Sequence, residues 1–363
     1  MRLLLTADTI GGVWTFACEL AGALVMRGVD VLLVSFGRLP SASQLADVDG
    51  LATGGKLEYI ASEVPLEWMP DNATAYTEGA ELLLHLNQHF KPEALLLSQF
   101  CYGALPVSAH KILIAHSDVL SWADAVGKAP LAADGWLHTY CELVQSGLNG
   151  ADTIVAPTAD MLTCLRRGFQ VRSATKVIPN GRTLPRLSAS LKRQLRAVSA
   201  GRMWDPAKNL SLLQMAELPL PVLVVGENDP NTSVPPSATL LGHLDGDRLL
   251  GLLRESAIYI CTSLYEPFGL AALEAALCGC AVLANDILSL REVWGEGALY
   301  FHDAGTLTAL LESLVVDASM LRAAQTRSAA RAKQYTAAAM ADAYVRLISS
   351  CIKTPHAEAE RAA

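Results

Sequence analysis

The sequence predicts an α/β protein built as two doubly wound domains, and three observations carry that prediction. Short β-branched or leucine-rich runs alternate with longer Ala/Leu-rich stretches, the rhythm of a parallel sheet covered by helices. The rhythm runs twice, with a break near residues 182–194. At 363 residues and 52% hydrophobic composition, the chain holds enough apolar material for two cores and is far from the composition of a disordered protein.

In chain order, Arg2–Thr6 reads as the first strand, Gly12–Arg27 as its helix and Val29–Ser35 as the second strand. Further strands are expected at Ala94–Ser98, Ile112–Ala115, Thr153–Ala156 and Lys176–Ile178. After Pro179-Asn180-Gly181 the pattern loosens through Arg182–Lys192. It restarts with a strand at Arg196–Ala200, a helix at Leu210–Ala216 and strands at Pro221–Val225 and Thr239–Leu241. A helix at Arg248–Glu255, a strand at Ile258–Cys261, a helix at Gly269–Cys278 and a strand at Ala281–Ala284 complete the second half. Leu307–Ile352 has helical apolar spacing and no strand signal, and Lys353–Ala363 reads as a frayed tail.

Composition excludes several function classes. A net charge of −8 argues against a general nucleic-acid binder, which needs a basic surface to displace phosphate counterions. Residues 1–180 carry 11 basic against 18 acidic side chains, which disfavours docking on anionic lipid. No apolar run reaches the ~18 residues of a membrane span, and Asp8, Gly11 and Gly12 interrupt any signal-like start. Eight cysteines without regular spacing, Cys278-Gly-Cys280 included, read as buried thiols of a reducing compartment. The expectation is a cytoplasmic protein with no stable membrane insertion.

Three clusters carry chemistry. The first strand runs into Asp8-Thr9-Ile10-Gly11-Gly12 and then a helix, so the backbone at Gly11 and Gly12 can pass close to a ligand, although a plain tight turn fits as well. It is not the G-x-G-x-x-G dinucleotide fingerprint, because the third glycine is missing. In Gly201-Arg202-Met203-Trp204-Asp205-Pro206-Ala207-Lys208-Asn209, two cations flank a turn at a strand end, where open α/β sheets bind ligands. Arg202 as a planar fork and Lys208 as a point charge suit a diphosphate; the alternative is a solvated basic loop. In Glu266-Pro267-Phe268-Gly269-Leu270-Ala271-Ala272-Leu273-Glu274, a Pro/Gly turn opens a helix whose first N–H groups, from Phe268, Gly269 and Leu270, form an anion site. Eight residues at 100° each return to within about 80° of the same face, so Glu266 and Glu274 both look toward one pocket. Acids beside a phosphate site make sense as partners for hydroxyls; the blander reading is a cap and a core-edge glutamate.

This last segment resembles the E-x7-E signature of the large retaining glycosyltransferase family GT4, which includes glycogen synthases, sucrose synthases and bacterial mannosyl- and glucosyltransferases. The resemblance covers nearly the whole chain. Thr6–Trp14 is similar to the family's first loop, Pro179-Asn180-Gly181 to its inter-domain motif, and Gly242-His243-Leu244 to its nucleobase loop. It implies the GT-B fold: two Rossmann-like domains facing across a cleft, residues 1–182 on the acceptor side and 195–334 on the donor side. A terminal helix within 335–352 would cross back to the first domain.

The resemblance also implies roles. Arg202 and Lys208 would hold the donor diphosphate, Glu274 the ribose hydroxyls and Glu266 the transferred sugar. Phe268, Gly269 and Leu270 would offer backbone to phosphate or sugar, Leu244 would flank the base, and Gly11 and Gly12 would approach the donor. His116, in Ile114-Ala115-His116-Ser117-Asp118, resembles the family's active-site histidine. Two departures stand out: Lys208-Asn209 where the family commonly has Lys-Gly, and Gly226-Glu227-Asn228-Asp229 where a second glycine is usual. Trp14 and Trp122 adjoin the glycine loop and His116, so they are candidates for stacking on an acceptor, although buried core is the commoner use of Trp.

Asp47-Val-Asp49 and Asp245-Gly-Asp247 both spell the D-x-D of metal-dependent glycosyltransferases. The first reads as part of a polar loop and the second as an N-cap. Arg202, Lys208 and the helix start already bring about two and a half positive charges to a leaving diphosphate, so no metal and no other cofactor is expected. The reaction expected is transfer of a hexose from a UDP-, GDP- or ADP-sugar to a hydroxyl of a small molecule or saccharide, with retention. The rivals are a GT-B epimerase or phosphorylase and a non-catalytic nucleotide-sugar-binding module.

Overall fold

The computed structural model describes residues 1–51, 56–128, 135–184, 193–227, 234 and 237–352. Asn228, Asp229, most of the loosened stretch after Arg182 and the tail from Lys353 lie outside the described residues. The first strand, β1 (Arg2–Asp8), is buried from Leu3 through Asp8, as a strand covered on both faces must be. The described residues form two parallel sheets. In the first, β2 (Asp30–Phe36) and β3 (Leu57–Ala61) lie on one side of β1. On its other side follow β4 (Ala94–Leu97), β5 (His110–Ile114), β6 (Thr153–Ala156) and β7 (Ala174–Val177), in the order β3-β2-β1-β4-β5-β6-β7. The second sheet repeats the plan with β8 (Gln194–Ala200), β9 (Val222–Val225), β10 (Ala238–Gly242), β11 (Ser256–Cys261), β12 (Ala281–Asn285) and β13 (Ala298–Phe301), in the order β10-β9-β8-β11-β12-β13.

This order positions the candidate sites. In each sheet the chain winds outward from its first strand and then returns to that strand's other side. The crevices between β1 and β4, and between β8 and β11, are therefore the switch points at which such sheets bind ligands, outside the strands' C-terminal ends. At the first of these, the Ser98 N–H donates to Thr6 Oγ1 at 2.9 Å and ties the two strand ends together.

The described residues separate into two compact units. One holds those of Met1–Leu120, Pro130–Gly181 and Ala337–Ala363, and the other those of Ser121–Ala129 and Arg182–Thr336. The chain thus leaves the first unit at Gly181 and returns with the helix Ala337–Ile352, which packs against the helix Gly12–Val25. Tyr344, 1% exposed, meets the edge of Phe16 at 6.3 Å, and Arg27 Nε donates to Asp342 Oδ1 at 2.7 Å. Unlike the sequence division, this one gives part of Ser121–Ala129 to the second unit, because the Trp122 indole N–H donates to Asp205 Oδ1 at 2.9 Å.

Several elements differ from expectation. β3 and β13 were not anticipated; they are strands of five and four residues at the sheet edges. Asp47-Val-Asp49 lies not in a loop but in the helix Ala42–Leu51, where Asp47 Oδ2 accepts from the Trp14 indole N–H at 3.2 Å. The signal was weak because Val48 is that helix's one fully buried residue. Asp245 does cap a helix, Gly246–Arg254, by accepting the Arg248 N–H. Cys101, Cys261, Cys278 and Cys280 are buried, and burial pushes the last two thiols up to about 11 and about 12. Cys18, Cys141, Cys164 and Cys351 are only half-buried, against the expectation that all eight are core. Among the described residues, no single helix is long and apolar enough to cross a membrane.

Candidate active site

In the second unit, the loops leaving β8 and β11 are sewn together by backbone and side chains. The Leu264 N–H donates to the Ala207 carbonyl at 2.8 Å, and the Thr262 hydroxyl donates to the Lys208 carbonyl. Gly226, at the end of β9, has φ +134°, and a Cβ there would stand 1.7 Å from the Gly201 carbonyl oxygen. Only glycine permits that approach. The Met203 N–H then donates to the Glu227 carbonyl at 2.8 Å, fixing the loop from a third strand end.

Within this frame Asp205 organises the cationic loop. It is 4% exposed, and its carboxylate accepts from the Ala207 N–H at 2.9 Å, from Arg202 at 3.1 Å and from Trp122. Arg202 is thereby held over the Trp204 ring, 5.5 Å from its centroid. Asp-Pro at a turn start is a readable capping signal, yet the sequence reading missed Asp205 as the carboxylate that aims the arginine. Asn209 follows at φ 51°, ψ 47°, the left-handed conformation. The family's glycine suits that conformation, and asparagine is the side chain that tolerates it best, so the departure at Asn209 leaves the backbone path intact.

Lys208 donates its ammonium to Glu266 Oε2, which also accepts from the Ser263 hydroxyl at 3.2 Å. Burial alone pushes the lysine down, but the Glu266 carboxylate outweighs it and holds the ammonium above its ordinary range. Two of the expected site residues thus meet, 58 positions apart in sequence. Phe268, 3% exposed, turns its side chain into the core against Tyr335, so it offers only backbone. Gly269, at φ +89°, precedes the helix Leu270–Leu277, whose first N–H groups have no side-chain cap. Leu270 and Leu244 are half-buried against that unit's core. Glu274 pairs with a different cation: Arg182 Nε donates to its Oε1 at 2.7 Å. Nothing local announces Arg182, whose partner is 92 residues away.

In the first unit, Gly11 takes φ +68°, which accounts for the glycine, and Gly12 opens the following helix. Asp8, 7% exposed, accepts the Ile10 N–H at 2.8 Å. His116 lies just beyond β5, with its Nε2 3.1 Å from the Ser98 hydroxyl and its ring 4.6 Å from Phe16, edge on. Burial pushes its imidazole down to about 4, so the ring is neutral at ordinary pH. Trp14 is 4% exposed and its N–H is engaged by Asp47, so it packs the core and offers no face to an acceptor. Trp122 is half-buried, with its N–H on Asp205 and Lys128 4.6 Å over its ring, which makes it a support of the cationic loop. A carboxyl that the sequence reading passed over is Glu67. It is 2% exposed, accepts the Phe100 N–H at 2.8 Å, and is pushed by burial up to about 7.

Residues 10–185 match the family described as Glycosyltransferase Family 4, and residues 230–332 match Glycosyl transferases group 1. The chain belongs to the GT4-type glycosyltransferases. Among relatives in this family, the serotype-specific mannosyltransferase WbdA of Escherichia coli is 30% identical over 125 residues, 33% of this chain and 15% of that protein. The alpha-maltose-1-phosphate synthase of Mycobacterium tuberculosis is 40% identical over 70 residues, 17% of this chain and 18% of that protein. The chain therefore spans less than a fifth of the length of either relative. Its fold matches that of sucrose-phosphate synthase from Thermosynechococcus elongatus, with a TM-score of 0.76 at 17% identity over 97% of this chain and 99% of the other. It also matches WaaG, a glycosyltransferase involved in lipopolysaccharide biosynthesis, with a TM-score of 0.68 at 14% identity over 96% and 99%. Both sheets are thus those of the GT-B fold.

Proposed function

We propose that this chain is a retaining hexosyltransferase that moves a sugar from a nucleotide diphosphate donor to a hydroxyl of a saccharide or small-molecule acceptor, without a divalent metal. The observation that carries this reading is the meeting of Lys208 and Glu266 at the β8/β11 switch point, beside Arg202 and the uncapped start of the helix Leu270–Leu277. Cations and backbone N–H groups gathered there suit the charge that develops on a departing diphosphate. Glu266, already accepting from Lys208 and Ser263, is placed to accept from a hydroxyl of the transferred sugar. A hexose donor agrees with the mannosyl and maltose-phosphate chemistry named for its relatives.

His116 is a neutral imidazole, the state able to accept a proton from a sugar hydroxyl. Metal independence draws support from the two D-x-D strings: Asp47 accepts from Trp14 and Asp245 caps a helix, so both carboxylates have structural partners. The protein acts, on this reading, in the cytoplasm and binds no nucleic acid.

The test incubates the full chain with UDP-glucose, GDP-mannose and ADP-glucose, with and without a saccharide mixture, in saturating EDTA. Release of the nucleotide diphosphate, with an α-configured product by NMR from an α-configured donor, is expected. Activity lost in EDTA and restored by Mg²⁺ or Mn²⁺ overturns metal independence, and an inverted product overturns retention. Nucleotide binding without turnover of any donor favours the non-catalytic binding module.

A further inference from the structure

We propose that Arg182 is a positioning residue for the donor ribose, acting through Glu274. This rests on the reading of Glu274 as the ribose acceptor. Glu274 sits in Leu-Ala-Ala-Leu-Glu-Ala-Ala-Leu, a helix whose neighbouring residues Ala272, Leu273, Ala275 and Ala276 are buried. Its side chain is only 13% exposed, and a polar group so placed is costly to bury without a partner. Arg182 is that partner, and it is itself 20% exposed.

The arginine is built against this helix from its backbone outward. Its N–H donates to the Tyr335 carbonyl at 3.0 Å, the Tyr335 ring meets the edge of Phe268 at 5.4 Å, and Phe268 stands two residues before the helix. The Tyr335 hydroxyl in turn donates to the Val293 carbonyl at 2.7 Å. The contact to Glu274 is single-pointed, Nε to Oε1, and among the described residues Oε2 has no hydrogen-bond partner.

A guanidinium does two things in this position. It occupies Oε1 with a charge-assisted hydrogen bond, which leaves Oε2 to accept from a ribose diol. It also fixes the carboxylate's rotamer before the donor arrives, so binding has less side-chain freedom to remove. A lysine in its place keeps the charge and loses the rigid fork.

The experiment measures, by calorimetry on the full chain, the affinities of UDP, GDP and ADP, and then of the 2′-deoxy and 3′-deoxy forms of the tightest. The wild type is expected to prefer the ribonucleotide by about tenfold, the range of a hydrogen bond to a charged group. Glu274→Gln and Arg182→Met should each reduce that preference to about twofold or less. Both should leave the ratio of diphosphate to monophosphate affinity unchanged, which a general loss of structure would not do. Arg182→Lys should fall between the wild type and Arg182→Met, and it decides the matter if Arg182→Met does not fold. Full preference in Arg182→Met, or in Arg182→Lys when it stands alone, with the preference lost in Glu274→Gln, overturns the role of Arg182 and leaves the donor reading standing. Preference retained in Glu274→Gln, or no binding of any of the three nucleotides, overturns the donor reading and the inference together.

Discussion

At the scale of single residues, the candidate donor site is a set of pairs. Arg202 faces Asp205, Lys208 faces Glu266, and Arg182 faces Glu274. The excess of cations suggested by the sequence is therefore balanced by acids, and on the proposed reading a diphosphate shares the lysine and arginine with their carboxylates. Lys208→Met should weaken nucleotide diphosphate binding by tenfold or more, on the order of a charge-assisted contact, and nucleoside binding little. It also leaves Glu266 with less compensation, so Lys208→Met/Glu266→Gln should melt above Lys208→Met alone. A double variant no more stable than the single one removes Lys208–Glu266 coupling from the account. Asn209 gives a second residue-scale test. Asn209→Gly should leave nucleotide affinity within about twofold, whereas Asn209→Val, with a branched Cβ in the left-handed region, should cost about 1–2 kcal/mol or more in denaturant melts. Equal stability of the two variants contradicts the conformation assigned to the loop.

At the scale of elements, the strand ends of the first unit carry two opposed titrations. His116 is pushed down to about 4 from an ordinary 6.5, so the unfolded chain takes up its proton first. Stability from this group is complete above pH 6.5 and falls as pH drops toward 4. Glu67 is pushed up to about 7 from 4.5, so the folded chain keeps its proton longer, and stability from this group falls as pH rises from 4.5 toward 7. Each contributes a slope of about 1.4 kcal/mol per pH unit within its window, and between pH 4.5 and 6.5 the two slopes cancel. Glu67→Gln removes one of them, so urea melts of that variant should show stability falling with decreasing pH across this window, more steeply than the wild type. A variant with the wild-type pH dependence contradicts this assignment.

The same elements show what a sequence reveals. The long central strands and the helix openings at Gly11 and Gly269 are legible because buried parallel strands spell apolar runs and tight turns spell glycine. β3 and β13 escape notice, although the other two edge strands, β7 and β10, of the same lengths, do not. Ala42–Leu51 reads as a loop because its buried face is a single valine. Arg182, the tie of Asp205 to Trp122, and Glu67 are invisible for a different reason. Each matters through a partner brought close by the fold, as with Glu67 and the Phe100 N–H 33 residues on.

At the scale of the whole molecule, the chain begins in one unit, builds the other, and ends by completing the first. The helix Ala337–Ile352 buries Met340, Ala341, Tyr344 and Ile348 to within 2% exposure, all on the first unit. Gly181, the last residue before the chain leaves that unit, donates its N–H to Met340 Sδ at 3.2 Å. The N-terminal helix is bound by the same element, since Arg27 also donates to the Ala338 carbonyl at 2.8 Å. Tyr344→Ala should therefore cost about 3–5 kcal/mol, the range for truncating a buried aromatic, and the loss should fall on the first unit alone. Hydrogen exchange locates it. Protection of β1 and β5 should drop together, because Phe16 meets His116 and Tyr344 edge on and the helices that carry Phe16 and Tyr344 pack on these strands. Protection of β8, β11 and β12 should be unchanged, because their core draws on Leu273, Trp294 and Ala332 and on none of the terminal helix. On the proposed reading, nucleotide affinity should survive the substitution, because Lys208, Glu266 and Glu274 all lie in the second unit. Equal loss of protection in both sheets refutes the assignment of the terminal helix to the first unit's core.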